Sequence, residues 1–160
     1  MTQSEPKSKS GRSLLWSGAI LVGLVLIIVV AMTIMAMGRG DSDIPPDLDT
    51  SPTRLSENGL FSVSYKAATD TVPVNQIHEW TLHVETADGA PVENAAITVD
   101  GDMPQHGHGL PTRPQVTKYL GNGDYLIEGL RFQMSGWWVM DFTITADGQT
   151  DAVRFNMRLQ

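Results

Sequence analysis

The 160-residue sequence contains no cysteine, and this absence excludes one form of stabilisation and one class of metal ligand. A domain without cysteine forms no disulfides, so an exported fold must be held together by its core alone. Thiolate is likewise excluded as a metal ligand, which leaves the methionine thioether as the soft donor. A soft-metal site in this chain would therefore depend on thioethers, alone or together with imidazole.

Basic residues are scarce beyond the first 38 positions. Up to position 38 there are three basic residues and one acidic residue, whereas the remainder has eight basic and 17 acidic residues, and the whole chain carries −7. An acidic region without a basic cluster disfavours nucleic acid or anionic lipid as its partner. No nucleic-acid partner is expected.

Charge is also missing from one long apolar run. Positions 19–37 read AILVGLVLIIVVAMTIMAM, without a charged residue, and the run extended back to Leu14 is long enough for a hydrocarbon core of ~30 Å. Basic residues precede it and acidic residues follow it, which predicts that the N-terminus lies inside. We predict a cytoplasmic tail at 1–13, a single-span transmembrane anchor at 14–38 in the bacterial cytoplasmic (inner) membrane, and an extracytoplasmic, periplasmic remainder.

A cleaved signal peptide is the alternative interpretation of this run. Such a peptide has an apolar core of roughly 7–15 residues, followed by small residues at the cleavage site. Here the core is longer, and its exit reads IMAMGRG, with methionines where small residues are required. The pattern favours an uncleaved anchor over a signal peptide.

Positions 39–58 lack apolar periodicity and are rich in proline, aspartate and serine. This composition predicts a linker that lifts a domain away from the membrane. The domain itself is predicted at 59–160.

Helical spacing is absent beyond Leu60, where apolar residues recur at every second position instead. Asx-Gly sequences typical of chain reversals separate several of these stretches. We therefore predict an all-β, immunoglobulin-like antiparallel β-sandwich of about seven strands that follows one N-terminal transmembrane helix. The predicted strands lie near 61–67, 80–85, 97–99, 116–120, 125–132, 138–144 and 153–159.

Two connections between these strands are longer or less regular than the Asx-Gly turns. The third connection contains GDMPQHGHGLP at 101–111, and the fifth contains QMSGW at 133–137. If successive strands alternate in direction, the first, third and fifth connections share one end of the sandwich. Loops on a rigid scaffold commonly carry function, so this end is the predicted functional end.

This end is predicted to bring together two imidazoles and two thioethers, from Met103, His106, His108 and Met134. Thioether strongly prefers Cu(I), whereas imidazole accepts both copper states and zinc, and methionine is a poor zinc ligand. The set predicts a copper site, with Cu(I) favoured and Cu(II) also allowed. The ordinary alternatives are polar loop histidines and methionines that fill the core.

Neighbouring side chains could support such a site. Asp102 could orient an imidazole from outside the ligand set, although it could equally be a turn former. Trp137 is predicted to face outward, where it would shield the site or dock a partner, or else be a half-exposed surface aromatic. His83 is predicted to face solvent from its strand, and His78 to lie at a strand start.

The segments MPQHGHGLPTRP at 103–114 and YLIEGLRFQMSGWW at 125–138 resemble those of the YtkA-like domain family, which is similar to the periplasmic part of FixH-type membrane-anchored proteins. The resemblance extends from near Leu60 to the last residue. It implies a small membrane-anchored sandwich that takes part in copper handling and respiratory oxidase assembly, with Met103, His106, His108 and Met134 as the metal ligands.

Two functions remain open at this stage. The first is a membrane-anchored copper-binding protein, a copper chaperone or assembly factor that passes copper to an oxidase subunit or another copper-handling protein. The second is a metal-free interaction module that docks on a membrane complex through its loop end. An enzyme is not expected, because the sequence shows no Ser-His-Asp, paired-carboxylate or glycine-rich phosphate-binding signature.

Overall fold

The structure, a computed structural model, describes residues 44–160. The predicted tail at 1–13, the predicted anchor at 14–38 and positions 39–43 of the predicted linker lie outside the described residues. Within 44–160, no helix is long and apolar enough to cross a membrane.

Residues 44–160 form nine β-strands and no helix. Seven of these strands correspond to the seven predicted from the alternating pattern. The strand at 61–67 has the predicted bounds, and the other six differ at their ends by up to four residues. The strands are β1 (Thr53–Leu55), β2 (Phe61–Ala67), β3 (His78–Thr86), β4 (Ala96–Met103), β5 (His108–Gly109), β6 (Gln115–Gly121), β7 (Asp124–Leu130), β8 (Gly136–Ala146) and β9 (Gln149–Leu159).

The strands are arranged in two antiparallel sheets. One sheet has the order β1-β2-β3-β7-β6, and the other has the order β5-β4-β8-β9. Aromatic residues of the two sheets meet between them: the ring of Tyr65 lies 4.7 Å from that of Trp80 and 5.1 Å from that of Phe155. The predicted all-β antiparallel sandwich is confirmed.

Period-two alternation explains why these strands form and how they pack. In β9, Phe155 is buried while Arg154 on the opposite face is exposed, and the same alternation continues along the strand. Full burial of one such apolar side chain contributes roughly 1.5–3 kcal/mol. The core formed in this way includes the fully buried Trp80 and Trp138.

Two short strands were not predicted. β1 lies inside the segment 39–58 that was expected to be a linker, and it pairs with β2. Its three residues show no apolar alternation and sit among prolines and serines, so the composition hides an edge strand. β5 lies inside the connection that contains the histidines, where it pairs with the end of β4. The folded domain therefore begins before residue 59.

The predicted grouping of connections at one end is confirmed. The backbone N–H of Asn75 in the first connection donates to the carbonyl of Phe132 in the fifth at 2.6 Å. The side chain of Gln133 in the fifth connection reaches His108 in the third. We call the end formed by 68–77, 104–114 and 131–135 the loop end. The opposite end, formed by the tight turns near 87–95, 122–123 and 147–148, is the turn end.

Candidate metal site

The hairpin between β4 and β5 places the histidines at the loop end. Met103 and His108 are cross-strand partners, and the backbone N–H groups of His106 and Gly107 both donate to the carbonyl of Met103 at 2.9 Å. Gly107 has a φ of 64°, a left-handed conformation that glycine adopts at little cost. The sequence MPQHGH thus forms a tight turn that returns His108 to a position opposite Met103.

The two imidazole rings are stacked on each other. The ring centroids of His106 and His108 are 5.8 Å apart, and the ring planes differ by 26°. His106 is exposed in the turn, whereas His108 is half-buried in β5. The pair therefore converges through a turn rather than along a straight strand, and one of the two rings is open to solvent.

Met103 supplies a buried thioether beside this pair. Its side chain is only 1% exposed, and directly opposite partners in an antiparallel pair have Cβ atoms ~4.5–5.5 Å apart. The methyl group of Met103 lies against Gly136: a Cβ added to Gly136 would come within 2.6 Å of Met103 Cε. Because residue 136 has no Cβ, there is room for the methyl end of the Met103 side chain.

Met134 belongs to the same end but is more exposed. Its side chain is 37% exposed, and its carbonyl accepts a hydrogen bond of 3.0 Å from Trp138 Nε1. The Trp138 ring in turn lies 5.9 Å from that of His108, edge to face. The backbone of Met134 is thus tied to the residue that packs beneath His108, and its thioether is available at the surface.

Gln133 is a component of this end that the sequence analysis missed. Its Nε2 donates to His108 Nδ1 at 2.9 Å and to the carbonyl of Gly109 at 3.3 Å. Its Oε1 is buried and has no partner within residues 44–160. A single glutamine has no distinctive spacing; the only signal was its position directly before Met134 in the fifth connection.

Asp102 and Trp137 lie away from the imidazoles. Asp102 precedes the buried Met103 and is exposed on the other face of β4. The pKa of Arg154 is raised by its hydrogen bond to Asp141 and by the charges of Asp141, Glu57 and, last, Asp102. Trp137 is half-buried and donates from Nε1 to Asn156 Oδ1 at 3.1 Å. The hydrogen bond that orients His108 comes from Gln133, and not from Asp102.

The other two histidines of the chain lie apart from this pair. The ring of His78 is 5.5 Å from that of Phe132, which itself packs 5.1 Å from Trp138, so two aromatic rings separate His78 from His108.

His83 lies on the outer face of β3, as predicted, and its side chain is 29% exposed, but its ring is held between two carboxylates. Its Nδ1 lies 2.6 Å from Asp124 Oδ1, and its Nε2 lies 3.1 Å from Glu85 Oε1. Burial lowers the pKa of His83, but the hydrogen bonds to Glu85 and Asp124 outweigh this effect and raise it.

The donor chemistry at the loop end suits a soft metal ion. Within residues 44–160, no three His, Cys, Asp or Glu side chains are grouped so that they could hold a metal ion. The side chains that lie together at the loop end are the imidazoles of His106 and His108 and, opposite His108 on the neighbouring strand, the thioether of Met103. Such a set fits copper, above all Cu(I), better than zinc.

The comparison with protein-family models agrees with the sequence resemblance. The YtkA-like family model matches residues 55–143, which is more than half of the chain. No curated protein matches the chain. Among solved structures, the ZirS C-terminal domain is similar with a TM-score of 0.37 and 16% sequence identity, over 75% of this chain and 86% of that chain.

Proposed function

Because the chain belongs to the YtkA-like family, we propose that it is a membrane-anchored extracytoplasmic copper-binding protein. We further propose that it serves as a copper chaperone or an assembly factor for a respiratory oxidase. The observation that supports this proposal is the stacked pair of His106 and His108 directly beside the buried thioether of Met103.

In this proposal the four predicted ligands differ in accessibility. Met103 and His108 form the inner part of the site, since one is buried and the other half-buried. His106 and Met134 form the outer part, because both are exposed. Copper held there would be reached from the surface of the loop end, as transfer to a partner protein requires.

The predicted anchor would determine on which side of the membrane, and near which partners, the domain acts. A single span at 14–38 would confine the domain to the outer face of the cytoplasmic membrane, where an oxidase subunit or another copper-handling protein would be its partner. Tethering raises the effective concentration of such a partner without any new contact. The domain's acidic charge is consistent with a protein partner and not with nucleic acid.

A competitive Cu(I) titration tests the copper assignment. The full-length chain is titrated anaerobically against a chromophoric chelator, beside the double variant His106→Ala/His108→Ala and the control variant His83→Ala. We expect one Cu(I) per chain in the wild type and in the control, and none in the double variant. Binding that is unchanged in the double variant would overturn the assignment. So would a wild type that fails to compete.

A metal-free docking module is the second candidate, and one observation favours it. Ile77, in the first connection of the loop end, is 70% exposed, and Met134, in the fifth, is 37% exposed. Interaction sites are marked by contiguous exposed apolar surface, and under this second function these two side chains would supply it. Under this function, Ile77→Ser would abolish capture of a membrane partner, while the histidine double variant would retain it.

A further inference from the structure

Gln133 is hydrogen-bonded to Nδ1 of His108, whereas Nε2 of His108 has no hydrogen-bond partner among residues 44–160. We propose that Gln133 is a positioning residue that reserves Nε2 of His108 for copper by occupying Nδ1. This inference rests on the proposed function for its copper part, whereas its hydrogen-bonding part concerns the metal-free protein.

Nδ1 of His108 is already engaged by the side chain of Gln133. Gln133 Nε2 lies 2.9 Å from this nitrogen and also donates to the carbonyl of Gly109 at 3.3 Å, so both of its contacts are to acceptors when Nδ1 is unprotonated. The N–H of Gln133 occupies the Nδ1 lone pair, so a metal ion cannot share it. Nε2 is therefore the nitrogen through which His108 can act as a ligand.

The orientation of the amide sets the tautomer in the metal-free state. An amide N–H donates, so Nδ1 accepts from Gln133, and the single proton of a neutral ring must then be carried by Nε2. Which ring nitrogen carries the proton is set by the hydrogen bond that the other one makes. Metal-free His108 is thus held with its proton on Nε2.

Ligation requires the opposite tautomer, and the unpartnered oxygen of Gln133 can support it. If Nε2 were to hold copper, the ring's single proton would be carried by Nδ1, and the net charge of the ring would be unchanged. A half-turn of the Gln133 amide then lets Oε1 accept from Nδ1–H. Oε1 is buried and has no partner within the described part of the chain, so this turn would give that oxygen a donor.

This arrangement explains why an amide suits position 133. An amide can donate to Nδ1 in one state and accept from it in the other, whereas a carboxylate can only accept and an aliphatic side chain can do neither. Removing a partner of this kind from a ligating histidine typically weakens metal binding by about 10–100-fold.

The test compares Gln133→Leu and Gln133→Glu with a control variant, Gln115→Leu, which removes an exposed amide from β6. The ring nitrogens of His108 are observed by ¹⁵N NMR in the metal-free full-length chain, at a pH where the ring is neutral in every variant. We expect the proton on Nε2 in the wild type and the control, on Nδ1 in Gln133→Glu, and distributed over both in Gln133→Leu.

Cu(I) competition on the same samples provides the second readout. We expect Gln133→Leu to bind about 10–100-fold more weakly than the wild type, and Gln133→Glu to bind at least as tightly as the wild type, because its tautomer is already the one required.

A His108 tautomer that is the same in all four proteins would overturn the inference. So would equal Cu(I) affinity of Gln133→Leu and the wild type. Tautomers that change as expected in a chain that binds no copper would instead overturn the proposed function and leave the hydrogen-bond assignment standing.

Discussion

The two ends of the sandwich are built in different ways. At the turn end, short Asx-Gly turns close the strands, and the 3%-exposed carboxylate of Asp151 accepts backbone hydrogen bonds from Asn58, Leu60 and Ala152. At the loop end, longer connections leave aliphatic and thioether groups exposed. Two glutamines there, Gln105 and Gln133, each have a buried side-chain atom without a hydrogen-bond partner among residues 44–160.

This difference indicates that the turn end contributes mainly to stability and the loop end mainly to binding. Buried polar groups are normally paired, and an unpaired one costs free energy that the rest of the fold must offset. The turn end has a well-paired buried carboxylate, as expected of an end that only closes the fold. The loop end keeps unpaired donors and acceptors near a pair of imidazoles, which is the arrangement expected where a ligand completes the structure.

The largest expected effect on stability is at the turn end. Asp151→Asn replaces one acceptor oxygen by a donor that faces backbone N–H groups, so we expect a loss of about 2–3 kcal/mol in the free energy of unfolding. The control is Asp147→Asn in the adjacent exposed turn, which we expect to change little. Urea unfolding at neutral pH measures both; equal stability of Asp151→Asn and the wild type would contradict the assigned role.

Asp151 also predicts how acid affects the turn end. Burial alone would raise its pKa, but hydrogen bonds from Ser56, Ala152, Asn58 and Leu60 outweigh burial and lower the pKa from 3.8 to about 2. Because the folded pKa is depressed, the stabilisation is present above pH 3.8 and is lost as the pH falls toward about 2. The acid dependence in this window should be weaker in Asp151→Asn.

A glycine pair compares the two ends directly. Gly136, with a φ of 123°, packs against Met103, while Gly148, with a φ of 76°, has nothing within 4 Å of its Cβ position. Alanine at either position strains the backbone by about 1 kcal/mol or more. Only Gly136→Ala should also displace the Met103 thioether and weaken Cu(I) binding. Equal Cu(I) affinity of Gly136→Ala and Gly148→Ala would remove Met103 from the site.

Met134→Leu tests the exposed thioether. Leucine has nearly the same volume, so stability should be unchanged, whereas Cu(I) affinity should fall by about tenfold through the loss of a soft ligand. Cu(II) affinity should fall less, since imidazole binds both oxidation states. Competition titrations with each oxidation state measure the two effects, and an equal loss in both would exclude thioether ligation by Met134.

The smallest expected effect concerns His83. Its pKa is raised by Glu85 and Asp124 against the effect of burial, so its contribution to stability is present below pH 6.5 and is lost as the pH rises through the raised pKa. The pair is partly exposed, so the contribution should be under about 1 kcal/mol. The free energies of unfolding of His83→Gln and the wild type are measured below and above this pH range. They should differ at low pH and become equal at high pH. A difference that persists at high pH would exclude a role for the charge.

Alternation of apolar residues predicted the strands of this fold well because each strand buries one face. β9 is the clearest case, with Val153 and Phe155 inside and Arg154 outside. β1 and β5 could not be found in this way, because β1 has only three residues and β5 only two, all exposed or half-buried, and so short a stretch cannot show a period. Their existence depends on partners distant in the sequence, the edges of β2 and β4.

The candidate site was predictable in part for a similar reason. The placement of His106 and His108 beside the fifth connection followed from the alternating strand directions. The role of Gln133 did not, because it depends on a side-chain hydrogen bond across 25 positions. The partners of His83 were missed for the same reason: Asp124 lies opposite it on a neighbouring strand.

X-ray absorption at the copper edge of the Cu(I)-loaded full-length chain tests most directly the claim that the loop end is a copper site. The account predicts both imidazole nitrogen and thioether sulfur in the first shell of the wild type, with the imidazole scattering absent from His106→Ala/His108→Ala. A first shell without imidazole, or imidazole scattering that persists in the double variant, would contradict it.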